Sequence, residues 1–128
     1  MKEEKKKFDL EERLIEFAVL ILDIGESLFV NRAGSHIGGQ IIRSGTSPAL
    51  NYGEAQSAES RSDFIHKFKI ILKELRETYV ALKIITKKPL TKKLDKVEQG
   101  LCECNELISI FSKSLSTAKA NKFQDAKS

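Results

Sequence analysis

Several groups of residues in this chain have types that do chemistry. Lys83, Lys87, Lys88, Lys92, Lys93 and Lys96 stand close together around a single acid, Asp95. A lysine cluster at a turn between helices can neutralise nucleic-acid phosphates, or it can be a solvated turn whose lysines confer solubility. Arg61 and His66 offer a second chemistry, a cation on an RNA phosphate and a base near its 2′-hydroxyl. Five residues apart on a regular helix, they sit about 140° from each other, so convergence needs Arg61 in a frayed cap or a second copy of the chain. Asp63-x-x-His66 approaches half of a di-metal carboxylate site, but such a site needs a second copy of the motif and two further glutamates; His36 has Ala33 at the matching place. Cys102 and Cys104 lie about 200° apart on a helix and cannot easily share a metal or a disulfide. Cys104 falls on the core face of its helix and reads as a small buried hydrophobe. No G-K-[ST] phosphate loop is present, and no serine or cysteine has a histidine and an acid in a nucleophile motif. The chain reads as non-enzymatic, with no cofactor and no metal.

The elements that carry these residues are helices. The central one is expected over Ser60–Lys88, spanning about 43 Å, with Ser60 and Asp63 as a capping pair and Pro89 as its stop. Phe64, Phe68, Ile71, Leu75, Thr78 and Leu82 repeat at alternating four and three residues, one helix face. Ile65, Leu72 and Tyr79 form a second stripe. Helix one is expected over Asp9–Phe29, with Leu10, Leu14, Phe17, Ile21, Ile24 and Leu28 inward and Ile15, Leu22 and Phe29 as its second stripe. Gly25 is a small residue that lets a neighbour approach. After a turn at Asn31–Gly34, helix two begins with Ser35 as N-cap. Five of the seven glycines fall between Gly34 and Gly53, and Pro48 is expected to kink or break the helix around Ser44–Ser47. Helix four is expected over Lys92–Thr117, on Leu94, Val97, Leu101, Cys104, Ile108, Phe111 and Leu115. Residues 1–7 form a charged arm and residues 119–128 a polar tail.

Four helices with short connections predict a single all-α domain, an up-down-up-down four-helix bundle. The extra stripes on helices one and three, Ile15, Leu22, Phe29, Ile65, Leu72 and Tyr79, are expected to form an oligomer interface. Arg43, Glu54 and Arg76 are expected to form a polar network between helices or subunits, since buried polar groups need partners. At 128 residues, with 41% hydrophobic and 31% charged residues, the chain fits one soluble domain. No apolar run is long enough to span a bilayer, and no signal peptide is evident, so the cytoplasm is the expected compartment. Net charge is +4 but uneven: residues 1–60 carry −3 and residues 61–128 carry +7.

The run IIRSGTSPALNYGEAQSAESRSDFIHKFKIILKELRETYVALKII resembles a family. Its order of Arg43-Ser44, Ser47, Asn51, Glu54-Ala55, Glu59-Ser60, Asp63-Phe64, Lys73-Glu74 and Arg76-Glu77-Thr78 is similar to that of bacterial four-helix-bundle proteins encoded in intervening sequences of 23S ribosomal RNA genes. The resemblance covers residues 10–115. It implies a ring-shaped homo-oligomer, in relatives a homopentamer, with no established enzymatic activity. The same superfamily includes the accessory variability protein of diversity-generating retroelements, a basic pentameric barrel that binds nucleic acid and a reverse transcriptase. The resemblance therefore implies RNA or DNA, and a protein such as a reverse transcriptase, as partners. The alternatives are a protein-docking scaffold that binds no nucleic acid, and a ribonuclease using Arg61 and His66, whose spacing resembles that of the HEPN group.

Overall fold

The computed structural model describes residues 9–127; the charged arm expected at residues 1–7 lies outside them. Among the described residues there are four α-helices and no strand: α1 (Leu10–Ser27), α2 (Arg32–Ala55), α3 (Arg61–Lys87) and α4 (Leu94–Lys127). Each helix packs on the next in sequence, and α4 returns to α1 in a looser contact. Cross-helix contacts fix the directions. Ile21 and Gly25 of α1 meet Gly45 and Ile42 of α2; Arg43 and Glu54 of α2 meet Glu74 and Lys67 of α3; Leu75 and Phe68 of α3 meet Cys104 and Phe111 of α4. Every neighbour is antiparallel, so the molecule is an up-down-up-down four-helix bundle in which α1 and α3 run parallel at opposite corners. Among the described residues no helix is long and apolar enough to cross a membrane.

The inward stripe of α1 is buried as its spacing requires: Leu14, Phe17, Ile21 and Ile24 are 0–2% exposed. Asp9 caps the helix, its carboxylate accepting from the Glu12 N–H at 3.0 Å. α2 starts earlier than the expected Ser35. Asn31 is the N-cap, accepting from the Gly34 N–H at 2.7 Å. A side chain at Gly34 would collide with the Phe29 carbonyl group, so the connector is Leu28–Asn31 and Gly34 already belongs to the helix. Nor does Pro48 break α2, which runs unbroken from Arg32 to Ala55. Pro48, Gly45 and Ser44 are all buried; the packing gained along that face outweighs the single helical hydrogen bond that proline removes.

α3 is capped by Ser60, which accepts from the Asp63 N–H at 3.1 Å, and ends one residue before Lys88 and the following Pro89. Its expected face is buried from Phe68 to Leu82, Thr78 included, with Phe64 half-buried at its start. The Thr78 and Ser44 hydroxyls lie 2.8 Å apart, and Thr78 also reaches the Glu74 carbonyl at 2.8 Å, which satisfies both inside the core. At the far end Tyr52, Phe64, Phe68 and Phe111 form an aromatic cluster with ring centres 4.3–6.0 Å apart. α4 buries Val97, Cys104, Leu107 and Phe111. Leu94, expected on the same stripe, is 40% exposed, since it is the first helical residue and lies beyond the core's edge. The segment expected as a polar tail is helix: α4 continues to Lys127.

Candidate nucleic-acid interface

The lysine cluster sits on a platform made by two connectors at the same end of the bundle. The α1–α2 connector donates from the Phe29 N–H to the Leu90 carbonyl of the α3–α4 connector at 2.8 Å. Beside it, the Thr91 hydroxyl lies 3.2 Å from the Ser27 carbonyl and 2.8 Å from the Ser27 hydroxyl. Thr91 also accepts from the Lys93 N–H at 3.1 Å, ordering the chain as it enters α4. Leu90 and Thr91 are each 2% exposed: Leu90 plugs the end of the core and Thr91 ties the two loops together. These bonds hold the two connectors together, and the long side chains around them are left for solvent or a partner.

Lys83, Lys87, Lys88, Lys92 and Lys93 are all exposed there. Lys96 is not equivalent: it is half-buried and pairs with Asp23 of α1 at 3.8 Å. Lys83 lies over the Tyr79 ring, 5.7 Å from its centre, which anchors its stem while the ammonium stays accessible. The sequence missed Arg32. It is the first residue of α2, exposed, and the Phe29–Leu90 and Asn31–Phe29 backbone bonds bring its connector against that of Lys88–Lys93. No local pattern joins Arg32 to lysines more than fifty positions away; only the bundle topology does. Three further lysines of α3, Lys67, Lys69 and Lys73, stand outside the cluster. Lys67 is tied to Glu54 at 2.5 Å, and that hydrogen bond holds its ammonium above the usual lysine range. Lys69 and Lys73 lie along the exposed side of α3, away from the platform.

The expected oligomer stripes also divide. Ile15, Leu22 and Phe29 are 42%, 38% and 39% exposed. Ile65 and Leu72, expected on the same surface, are 6% and 8% exposed and belong to the core, and Tyr79 is half-buried beneath Lys83. The reason is that α3 packs closely on both α2 and α4, so its two stripes serve its two neighbours. α1 packs closely on α2 alone, and its second stripe stays open.

The remaining candidates are far from the platform. Arg61 is the first helical residue of α3 behind the Ser60 cap, and His66 is exposed one and a half turns on; the helix is regular there, so the two are not brought together within the chain. The expected network of Arg43, Glu54 and Arg76 is differently wired. Arg43 pairs with Glu74 at 3.0 Å and with Glu77, Glu54 pairs with Lys67, and Arg76 is exposed on the outer side of α3. Cys104 is buried, its thiol donating to the Leu75 carbonyl at 3.1 Å, and burial pushes its pKa up to about 12. Cys102 is exposed. Among the described residues no three histidine, cysteine or carboxylate side chains converge as a metal site.

No family model and no curated protein matches the chain. A solved structure does. It is the crystal structure of a protein of unknown function from the S23 ribosomal protein family of Bacteroides thetaiotaomicron VPI-5482, 30% identical, with a TM-score of 0.74, covering 82% of this chain and 96% of that one. The chain belongs to the S23 ribosomal protein family. The identity over almost the whole of the relative makes the four-helix bundle a property shared with this S23 protein.

Proposed function

We propose that this chain is a non-enzymatic accessory protein of the intervening-sequence branch of the S23 family, a ring-forming helical bundle that binds nucleic-acid phosphates with one end. The observation that carries this reading is the platform. Two connectors held together by backbone and threonine hydrogen bonds gather Arg32, Lys87, Lys88, Lys92 and Lys93, all exposed, at one end of the bundle. Neutralising phosphates releases counterions, so such an end binds with a strong salt dependence and little sequence preference. The ordered backbone lowers the entropic cost of presenting the cations. Repetition of the end around a ring multiplies a weak contact by avidity.

The test is retention of a short RNA duplex across a salt series. Wild-type protein is expected to bind at low salt and to weaken steeply as salt rises. The combined variant Arg32→Gln, Lys88→Gln, Lys92→Gln, Lys93→Gln is expected to lose roughly one unit of salt slope for each phosphate contact removed. These side chains are exposed, so helicity and melting temperature are expected to be unchanged. A variant that keeps wild-type affinity and slope overturns the assignment of this surface. A wild-type protein that retains no nucleic acid even at low salt overturns the function and leaves a docking scaffold.

A further inference from the structure

The outer sides of α1 and α3 differ in charge without exception. The exposed side of α1 carries Glu11, Glu12, Glu16, Asp23 and Glu26 around the apolar residues Ile15, Val19 and Leu22. Its one basic residue, Arg13, turns aside to Glu103 and Glu106 of α4. The exposed side of α3 from residue 66 to residue 87 is a single stripe of His66, Lys69, Lys73, Arg76, Val80, Lys83 and Lys87. The acids in that stretch, Glu74 and Glu77, turn aside to Arg43 of α2. Among the described residues, Glu11, Glu12, Glu16 and Glu26 make no ion pair within the chain, and neither do Lys69, Lys73, Arg76 and Lys87. Apolar side chains lie open on both sides: Ile15, Val19 and Leu22 are 42%, 52% and 38% exposed, and Val80 and Ile84 are 56% and 42% exposed.

The two stripes also match in register. α1 and α3 are parallel. A methyl group on Gly100 would touch both Ile24 and Leu82 at 3.4 Å, so those two residues stand at about the same height in the bundle. Counting from that level, Glu12 comes level with Lys69, Glu16 with Lys73 and Glu26 with Lys83, each to within about one turn of helix. Val80 falls between the lower and upper pairs, opposite the level of Leu22 and Asp23. Both series repeat at alternating four and three residues, so the match holds along the full contact.

We propose that the exposed side of α1 docks a second copy of this chain, which offers the exposed side of its α3. The contact is heterologous. α1 against α1 sets carboxylate against carboxylate, and α3 against α3 sets cation against cation; like charges facing each other work against both. α1 against α3 pairs opposite charges around an apolar strip, the arrangement that fixes partner and register together. Since α1 and α3 are parallel within one copy, docking them side by side keeps successive copies parallel. Every basic platform then faces the same way, and a cyclic assembly carries them all on one rim. This inference rests on the ring reading above and supplies its surfaces, one of which is not the surface expected from the sequence: Ile65 and Leu72 take no part.

The experiment is light scattering after size exclusion on charge-reversed full-length chains. One variant reverses α1 (Glu12→Lys, Glu16→Lys), a second reverses α3 (Lys69→Glu, Lys73→Glu), and a third carries all four changes. Helical circular dichroism checks folding, and all four positions are exposed. Wild-type protein is expected as a multiple of the 14.4 kDa chain mass. Each single-side variant is expected to fall toward that mass, and the four-fold variant to recover the wild-type assembly. An assembled wild type whose mass survives both single-side reversals overturns the proposed surfaces and leaves the ring reading standing. A wild type whose mass grows without limit as concentration rises, and is abolished by either reversal, supports the contact and overturns the ring. A wild type that stays at the single-chain mass overturns both.

Discussion

The two flanks of α1 are built on opposite principles. Toward α2 the helices meet through missing side chains. A methyl on Gly25 would come within 2.6 Å of Ile42, and one on Gly45 within 2.8 Å of the Ile21 Cβ; the backbones are as close as the absent atoms allow. Toward α4 the helices stand apart. A groove of about 970 Å³ runs between them, lined by Glu12, Glu16, Leu20, Glu98 and Cys102 among others. It is crossed by Arg13, whose guanidinium reaches Glu103 at 2.6 and 2.9 Å and Glu106 at 2.6 Å; outside the groove, Lys96 of α4 and Asp23 of α1 make a longer pair at 3.8 Å. Dispersion works only at contact, whereas charged side chains bridge a gap. One helix thus has a flank that has no room for an added methyl at Gly25 or Gly45 and another that opens into a groove.

The two cysteines report the same kind of contrast, an open against a closed helix contact, on the two sides of α4 and with the largest expected effect. Cys102 lines the open α1–α4 groove, and Cys104 lies two residues on, in the closed α3–α4 contact. Under native conditions Cys102 is expected to react with an aromatic disulfide reagent at the rate of a free thiol. Cys104 is expected to react at least about a thousandfold more slowly, since reaction requires opening of its part of the core. The pH dependence follows from its raised pKa. The neutral thiol is the form the folded core accepts, so its contribution is fully present below the unfolded thiol's pKa. It is lost as pH rises from there through about 12. Two thiols labelling at one rate at pH 8 would show that the α3–α4 contact is no tighter than the groove.

The glycines test the closed flank by a smaller amount, and in two directions. Gly45→Ala puts a methyl group against the buried side chain of Ile21, which is itself fully enclosed. A loss of about 1–3 kcal/mol is expected in urea unfolding. Gly39 lies on the same helix, where an added methyl meets nothing within 4 Å. Gly39→Ala is expected to gain about 0.5–1 kcal/mol from helix propensity and a less flexible unfolded chain. Equal effects at the two sites would mean that α1 and α2 can separate at little cost.

These glycines also mark how far the sequence could be read. The inward stripes of α1 and α3 follow from spacing, because burial on one face of a helix repeats every three to four residues. Gly25 could be recognised as a place of close approach, but its partners Ile42 and Gly38 could not, since nothing local records which helix lies opposite. Pro48 misled for the same reason: its local cost is visible in the sequence, and the packing that outweighs it is not. The stripe of Ile65, Leu72 and Tyr79 was legible as apolar yet not as core, because its cover comes from the second of two neighbours. In the candidate site, the lysines were legible as a run. Arg32, and the pairing that removes Lys96, depend on which connectors share an end. The opposed charges of α1 and α3 sit in the sequence in plain sight, but they become a pattern only when Arg13, Glu74 and Glu77 are seen to turn inward.

Arg13 gives the smallest effect and the most specific one. Its pKa is raised by the hydrogen bond to Glu103, against the cost of burial, with Glu106 adding to it. The side chains of Arg13 and Glu103 are 32% and 27% exposed, and that of Glu106 is 61% exposed, so water and salt screen the cluster. Arg13→Ala is expected to cost about 0.5–1 kcal/mol in unfolding at low salt, far less than a buried pair. In 1 M salt most of that difference is expected to disappear, because the Debye length there is only about 3 Å. The loss at Gly45→Ala is steric and is expected to persist in the same salt. A cost at Arg13 that stays constant across the series would show that its hydrocarbon stem, packed between α1 and α4, is what closes that side, and that the two flanks of α1 differ in degree instead of in kind.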